Sequence, residues 1–281
     1  MNAIAVAPAG SALRGAVGEL RAAGVPTPEL DAGLLLAEAL GVERATLIAD
    51  PDRPLGESQL RRFEELLARR RAREPVAYIL GRKAFRHIDL SVDQRVLIPR
   101  PETELLVELA LELPPGARVA DVGTGSGAVA LALAHERPDL ELIATDRDAG
   151  ALAVARANAG RLGIALELVE ADLLVGVAGP FDAVLCNPPY VTEHEWPQLV
   201  PEIVRYEPPQ ALLGGPDGLD VIRRLVSGAA AASARTLAIE VGQGQADAVA
   251  ALMRAAGFAR AERHRDLAGI ERVVVGRAGP A

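Results

Sequence analysis

The sequence predicts an α/β protein: a mostly parallel sheet with an antiparallel hairpin at its edge, preceded by a small N-terminal helical domain joined through a β-hairpin linker. Three observations predict it. Up to about residue 75 the apolar residues recur at helical spacing, without a strand-like run. From Pro101 onward short apolar runs alternate with Ala-rich stretches, as the strands and helices of a parallel sheet do. One of these runs, Val119 to Val122, opens into a glycine-rich loop that leads into a helix-forming stretch, the join found in doubly wound sheets.

Taken in order, helices are expected at Ser11 to Ala23, Pro28 to Leu40, around Arg44 to Ile48, and at Ser58 to Arg73. Leu30, Leu34, Ala37 and Leu40 share helical spacing, as do Leu60, Phe63 and Leu67. Pro28 suits a first helical position and Gly41 the residue just past an end. These helices form a domain over residues 1–75. Residues 76–98 alternate as a β-hairpin linker does, with Lys83 to His87 near its turn. In the remaining domain, residues 99–281, strands are expected at Arg118 to Val122, Glu141 to Thr145, Leu166 to Glu170, Phe181 to Cys186 and Thr236 to Val241. A closing edge hairpin follows at Arg260 to Arg265 and Glu271 to Arg277.

Composition excludes several classes. The chain has 281 residues and half are apolar, yet no uninterrupted apolar stretch reaches the length of a membrane span. Met1 to Gly10 lacks the basic start and long apolar core of a secretion signal, so a cytoplasmic location is expected. A net charge of −8 gives no broad footprint for duplex nucleic acid. Four Phe, three Tyr and one Trp leave little material for base stacking. The single cysteine, Cys186, reads as a small buried filler rather than a reactive thiol. His87, His135, His194 and His264 show no ligand spacing, so no metal is expected.

Gly123, Thr124, Gly125, Ser126 and Gly127 form the glycine loop. Glycines let the backbone approach a ligand, and the following helix offers free N–H groups. The next apolar run ends in Asp146, well placed to accept both hydroxyls of a ribose. Loop and acid together describe a nucleoside site, and taken alone they fit a dinucleotide-binding dehydrogenase equally.

Asn187, Pro188, Pro189 and Tyr190 break that tie. The tetrapeptide follows a strand run, so it falls at the same end of the sheet as the loop and Asp146. An amide or aryl-amine nitrogen is a poor nucleophile because its lone pair is delocalised. A catalyst must hold both N–H bonds and aim the nitrogen. The Asn187 side-chain oxygen and the Pro188 carbonyl can be the two acceptors, the prolines restrict the backbone around them, and Tyr190 offers an aromatic face to a flat group. The plainer reading is a strand-to-loop turn, since Asn and Pro are common turn residues. A nucleoside-bound methyl donor facing a held NH2 group is the simplest chemistry that uses both motifs.

At these residues the chain resembles the class I S-adenosylmethionine methyltransferases, and within them the PrmC/HemK family of release factor protein-(glutamine-N5) methyltransferases. The resemblance covers nearly the whole chain. Glu74 to Gly81 looks like the family's linker region, Leu97 to Glu104 like the segment leading into its catalytic domain, and Glu207, Pro208, Ala211, Leu212 and Gly214 through Leu219 like the segment after its tetrapeptide. It implies a Rossmann-like sheet, S-adenosyl-L-methionine as donor with S-adenosyl-L-homocysteine as product, and donor contacts at Gly123 to Gly127, Asp146, Asp172, Leu173 and Asn187. Some relatives carry tryptophan where Leu173 stands, which reduces adenine stacking there to aliphatic packing. The implied substrate is the glutamine of the Gly-Gly-Gln loop in peptide chain release factors 1 and 2, held by Asn187 to Tyr190, with the helical domain gripping a distant surface of the factor. The tetrapeptide also occurs in N6-adenine nucleic-acid methyltransferases, which remain the alternative; a DNA-modifying enzyme would need a sizeable recognition insert, and none is left unassigned.

Within this reading transfer is direct and in line, with no strong base beforehand. Asp121 is expected to orient the glycine loop or the donor's methionyl end. Glu207 and Glu240 either line the pocket or form surface ion pairs. Arg69, Arg70, Arg71 and Arg73 read as a solvated helix end, where positive charge complements the helix dipole, ahead of a contact with an acidic partner or RNA.

Overall fold

The structure is a computed structural model and describes residues 8–279, which leaves most of the Met1 to Gly10 stretch outside the described residues. Two compact units emerge. One runs through Gly81 and takes in Pro201–Tyr206; the other comprises Arg82–Val200 and Glu207–Ala281.

The first unit is helical, with helices at Ala9–Ala22, Pro28–Leu40, Arg44–Ala49, Glu57–Arg71, Val76–Leu80 and Pro201–Tyr206. Pro28 opens its helix, and Gly41, at φ 64°, closes it with its N–H on the Ala37 carbonyl. The core is built from Leu20, Leu35, Leu36, Phe63 and Leu66. The buried face of the second helix therefore differs from the one its leucines suggest. Leu30 is 41% exposed, while Asp31, Ala32, Leu35 and Leu36 face inward. Asp31 is inward because Arg70 pairs with it at 2.7 Å.

That pair corrects the reading of the arginine run. Arg70 is 3% exposed and bonds Asp31 and, at 2.8 Å, Glu202; Arg73 bonds the same Glu202 carboxylate at 2.6 Å. Burial opposes the charge on Glu202, but the Arg73 and Arg70 bonds outweigh it and hold the carboxyl below its ordinary range. Arg69, paired with Glu74, and Arg71, paired with Glu19, do keep the solvent-exposed setting expected of the whole run, so the correction falls on Arg70 and Arg73. Buried charges persist when each has partners, and here those partners come from distant parts of the sequence.

A second correction concerns residues 76–80, read as the start of the hairpin. They form a helix, entered from Pro75 and ended by Gly81 at φ 69°. The hairpin itself is β1, Arg82–Phe85, and β2, Ile88–Ser91, turning at Arg86 and His87.

The second unit carries a seven-stranded sheet: β3 (Arg118–Val122), β4 (Glu141–Asp146), β5 (Glu167–Glu170), β6 (Ala183–Cys186), β7 (Thr236–Glu240), β8 (Arg260–Arg265) and β9 (Glu271–Arg277), in the order β5-β4-β3-β6-β7-β9-β8. The first five are mutually parallel; β9 pairs antiparallel with both β7 and β8. Central strands β3 and β6 are buried on both faces, which explains the wholly apolar β6 and a β3 whose inward positions are apolar apart from the buried Asp121. The chain winds outward from β3 to β5, then returns to place β6 on the other side of β3. The β3/β6 boundary is thus the topological switch point, where ligands of such sheets bind.

Candidate active site

Strand register aligns the candidate residues. Val122 pairs with Thr145 on one side and Cys186 on the other, so Gly123 just past β3, Asp146 at the end of β4 and Asn187 just past β6 stand at the same level beside the switch point. The glycine loop is tied to β4: the N–H groups of Gly123 and Thr124 donate to the Thr145 carbonyl at 2.8 and 2.9 Å, and Gly125 N–H donates to Asp146 Oδ2 at 3.0 Å. Gly123 and Gly125 have φ of 72° and 57°, and a Cβ on either would meet no protein atom within 4 Å. Both line a cleft at the sheet's end. A side chain there would strain the backbone and occupy the space a ligand needs, so the loop fits a nucleoside donor.

Beneath the loop, Asp121 is buried; it accepts the Thr124 hydroxyl at 2.6 Å and Ala130 N–H at 3.2 Å. Burial pushes its carboxyl up to about 6, the two hydrogen bonds opposing the rise. Enclosed in this way, it fastens loop to helix, as expected of an orienting residue. Asp146 also accepts Asp148 N–H at 3.0 Å, and burial raises its carboxyl too. Asp172 pairs with Arg224, and Leu173, at φ 58°, receives the Thr145 hydroxyl on its carbonyl at 3.0 Å. Both line the cleft with Asp146.

Across the cleft stand Asn187, Pro188 and Pro189. Asn187 Nδ2 donates to Thr103 Oγ1 at 3.1 Å, while its Oδ1 and the Pro188 carbonyl take no hydrogen bond from the described residues. Tyr190 turns elsewhere. Its hydroxyl donates to Glu240 Oε1 at 3.3 Å, and burial, then the Glu240 charge, raise the phenol far enough to keep it a neutral donor. The tetrapeptide is braced by its successor segment, where Val191 N–H donates to the Leu212 carbonyl at 2.8 Å, and from beyond β7, where Gln245 Nε2 donates to the Tyr190 carbonyl at 3.0 Å.

Of the expected site residues, Gly123, Gly125, Asp146, Asp172, Leu173, Asn187, Pro188 and Pro189 line one cleft; Thr124, Ser126, Gly127 and Tyr190 do not. Thr124 braces Asp121, the Ser126 carbonyl accepts from buried Asn158, and a Cβ on Gly127 would lie 2.8 Å from Leu131. Neither glutamate is a surface ion-pairing residue. Glu207, 3% exposed, accepts Ile98 N–H at 3.2 Å and pairs with Arg100, pinning the segment before the catalytic sheet. Glu240, 1% exposed, accepts Thr103 Oγ1 at 2.6 Å. Sequence reasoning missed Thr103, Arg95, Gln210 and Arg224. Thr103 lay inside a segment singled out for its resemblance, but nothing local showed what its hydroxyl would meet; the other three line the cleft from loops and a helix without motif spacing.

Comparison with known proteins agrees with this geometry. Family models match over two stretches: the PrmC N-terminal domain at residues 11–81 and the methyltransferase small domain at residues 101–214. The release factor glutamine methyltransferase of Cereibacter sphaeroides is 44% identical over 273 residues, covering 96% of this chain and 98% of that protein. That of Burkholderia pseudomallei is 44% identical over 265 residues, covering 90% and 93%. Among solved structures, a methyltransferase from Pyrococcus furiosus shares the fold at a TM-score of 0.53 and 17% identity, over 77% of this chain and 98% of its own. With identity at that level along nearly the full length of the relatives, this methyltransferase belongs to the release factor glutamine methyltransferase family.

Proposed function

We propose that the protein methylates the side-chain amide nitrogen, N5, of the glutamine in the Gly-Gly-Gln loop of release factors 1 and 2, in the cytoplasm, with S-adenosyl-L-methionine as donor. The observation that carries this is the pair of open acceptors, Asn187 Oδ1 and the Pro188 carbonyl, set beside the glycine-lined cleft. A primary amide nitrogen brings two N–H donors, which two acceptors can hold, and the relatives' name favours a glutamine amide over an aryl amine. When bound, the donor supplies an electrophilic methyl group on a sulfonium centre. The chain's own residues do the rest. Asp146 would accept the donor's ribose hydroxyls and Asp172 and Leu173 would bound its adenine, while Asn187 with Pro188 would hold the substrate's NH2 group and favour its pyramidalisation. Positioning of this kind accounts for about 7 kcal/mol or more in favourable cases. No side chain serves as a strong base: Asp121 is enclosed under the loop, and burial raises the Cys186 thiol well above its ordinary range. The alkylated nitrogen is acidic and loses its proton to water afterwards.

The relatives' name supports a release factor as substrate. The small glycines of the loop let its glutamine enter a narrow pocket, and the helical unit grips a distant surface of the factor. The experiment is label transfer from S-adenosylmethionine to purified release factors, beside Gln→Ala loop variants and duplex DNA. Label on the intact factor and not on its loop variant supports the reading; label on DNA alone moves it to an adenine methyltransferase.

A further inference from the structure

We propose that Thr103 and Glu240 are positioning residues, joined in a hydrogen-bond chain that holds the Asn187 amide with its oxygen turned to the acceptor nitrogen. The inference rests on the reading of Asn187 as holder of an NH2 group.

A carboxamide has nearly the same shape in two orientations, and only hydrogen bonds distinguish them. The wrong orientation sets one NH2 group against another. In this protein the choice is made behind the cleft. Asn187 Nδ2 donates to Thr103 Oγ1 at 3.1 Å, and Thr103 gives its one hydroxyl proton to Glu240 Oε2 at 2.6 Å. The second carboxylate oxygen receives the Tyr190 hydroxyl at 3.3 Å. An ionised carboxylate has no proton to give, so the chain runs one way. Thr103, its proton committed, only accepts, and Asn187 must offer nitrogen to it and leave Oδ1 free. Protonation of Glu240 reverses the logic: its O–H donates to Thr103, whose own proton then invites Oδ1 inward.

The groups around Glu240 place this reversal in the neutral range. Burial raises its carboxyl to about 7, opposed by Thr103, by the Arg272 charge on β9 and by Tyr190, with Glu102 adding to the rise. Arg272 is held by Asp266 at 3.2 Å, and Tyr190 stays protonated throughout. Thr103 lies 137 positions from Glu240 in sequence, and the two meet behind Asn187.

The test pairs a substrate-free readout with kinetics. The 15N-labelled Asn187 side-chain NH2 resonance is followed against pH in wild type, Thr103→Val, Thr103→Ser and Glu240→Gln, and methylation of release factor is measured on the same proteins, with melting temperature as folding control. Expected are a wild-type resonance that titrates near pH 7, a kcat that rises through the same range, and loss of both dependences in Thr103→Val and Glu240→Gln. Thr103→Val should lower kcat about tenfold or more with donor Kd changed by less than about threefold, and Thr103→Ser should recover most of the rate. A wild-type resonance that does not titrate, or a folded Thr103→Val or Glu240→Gln enzyme with the wild-type pH profile, overturns the proposal. If wild type methylates no release factor while its Asn187 resonance titrates in a Thr103-dependent way, the substrate assignment fails and the hydrogen-bond chain stands.

Discussion

Asp121 and Thr124, at the end of β3 and in the loop it feeds, are joined by a 2.6 Å hydrogen bond in which the Thr124 hydroxyl donates to a buried carboxyl. The bond fastens the glycine loop at a cost, because burial lifts the Asp121 carboxyl from its ordinary 3.8 to about 6. Below about pH 4 the group is protonated in folded and unfolded chains alike and the cost is absent. As pH rises through about 6 the folded state must ionise a buried group, and stability is lost. Asp121→Asn keeps an acceptor for Thr124 without the charge. Its stability relative to wild type is expected to grow by about 2–3 kcal/mol between pH 4 and pH 7, measured by urea denaturation across that range; a difference independent of pH would contradict this.

The buried arginine network makes a separate prediction about the helical unit. Arg70→Ala leaves Asp31 without its partner and takes one of two arginines from Glu202. It should destabilise the protein by about 3–5 kcal/mol, whereas replacing Arg70 and Asp31 together by Met and Leu should cost less. Chemical denaturation followed by circular dichroism gives both values, and equal losses would show that the cost is packing rather than an orphaned charge.

These residues also mark where the sequence was legible. Strand β3 and the edge hairpin β8–β9 have the limits expected from the sequence, and the second helix runs from Pro28 to Leu40 as its proline and glycine punctuation indicates. The convergence of loop, Asp146 and Asn187 followed from parallel-sheet topology alone. The buried face of the second helix was misread because its inward-facing Asp31 looks like a surface residue until Arg70 is placed beside it. The helix Val76–Leu80 carried a usable signal, Pro75 before it and Gly81 after it, that strand-like alternation obscured. Thr103 and Glu240 carried none, since a contact across the fold has no period in the sequence.

The segment after the tetrapeptide is expected to be intolerant of side chains. A Cβ on Gly214 would lie 2.6 Å from the Pro189 carbonyl oxygen, and one on Gly218, at φ 74°, would lie 2.2 Å from that of Tyr190. Gly214→Ala or Gly218→Ala should displace the acceptors and lower the methylation rate by about 100-fold. Gly116→Ala is the control, with φ 72° and no atom within 4 Å of its Cβ. It should cost about 1–2 kcal/mol of stability and leave the rate of the folded enzyme unchanged. Rates that fall alike in all three would reduce the effect to backbone strain.

Asn187→Ala separates holding the acceptor from binding the donor. Loss of one acceptor aimed at the reacting group should lower kcat by about 100-fold or more, with donor Kd changed only a few-fold. Single-turnover methylation and donor titration on the same preparation give the two numbers, and equal losses would make Asn187 mainly a donor contact.

The most direct measurement is peptide-mapped mass spectrometry of a release factor incubated with the enzyme and S-adenosylmethionine, with Asn187→Ala run alongside. The account expects one added methyl group on the side-chain amide of the loop glutamine with wild type and almost none with the variant. An unmodified loop peptide, or a methyl group on any other residue, would contradict it.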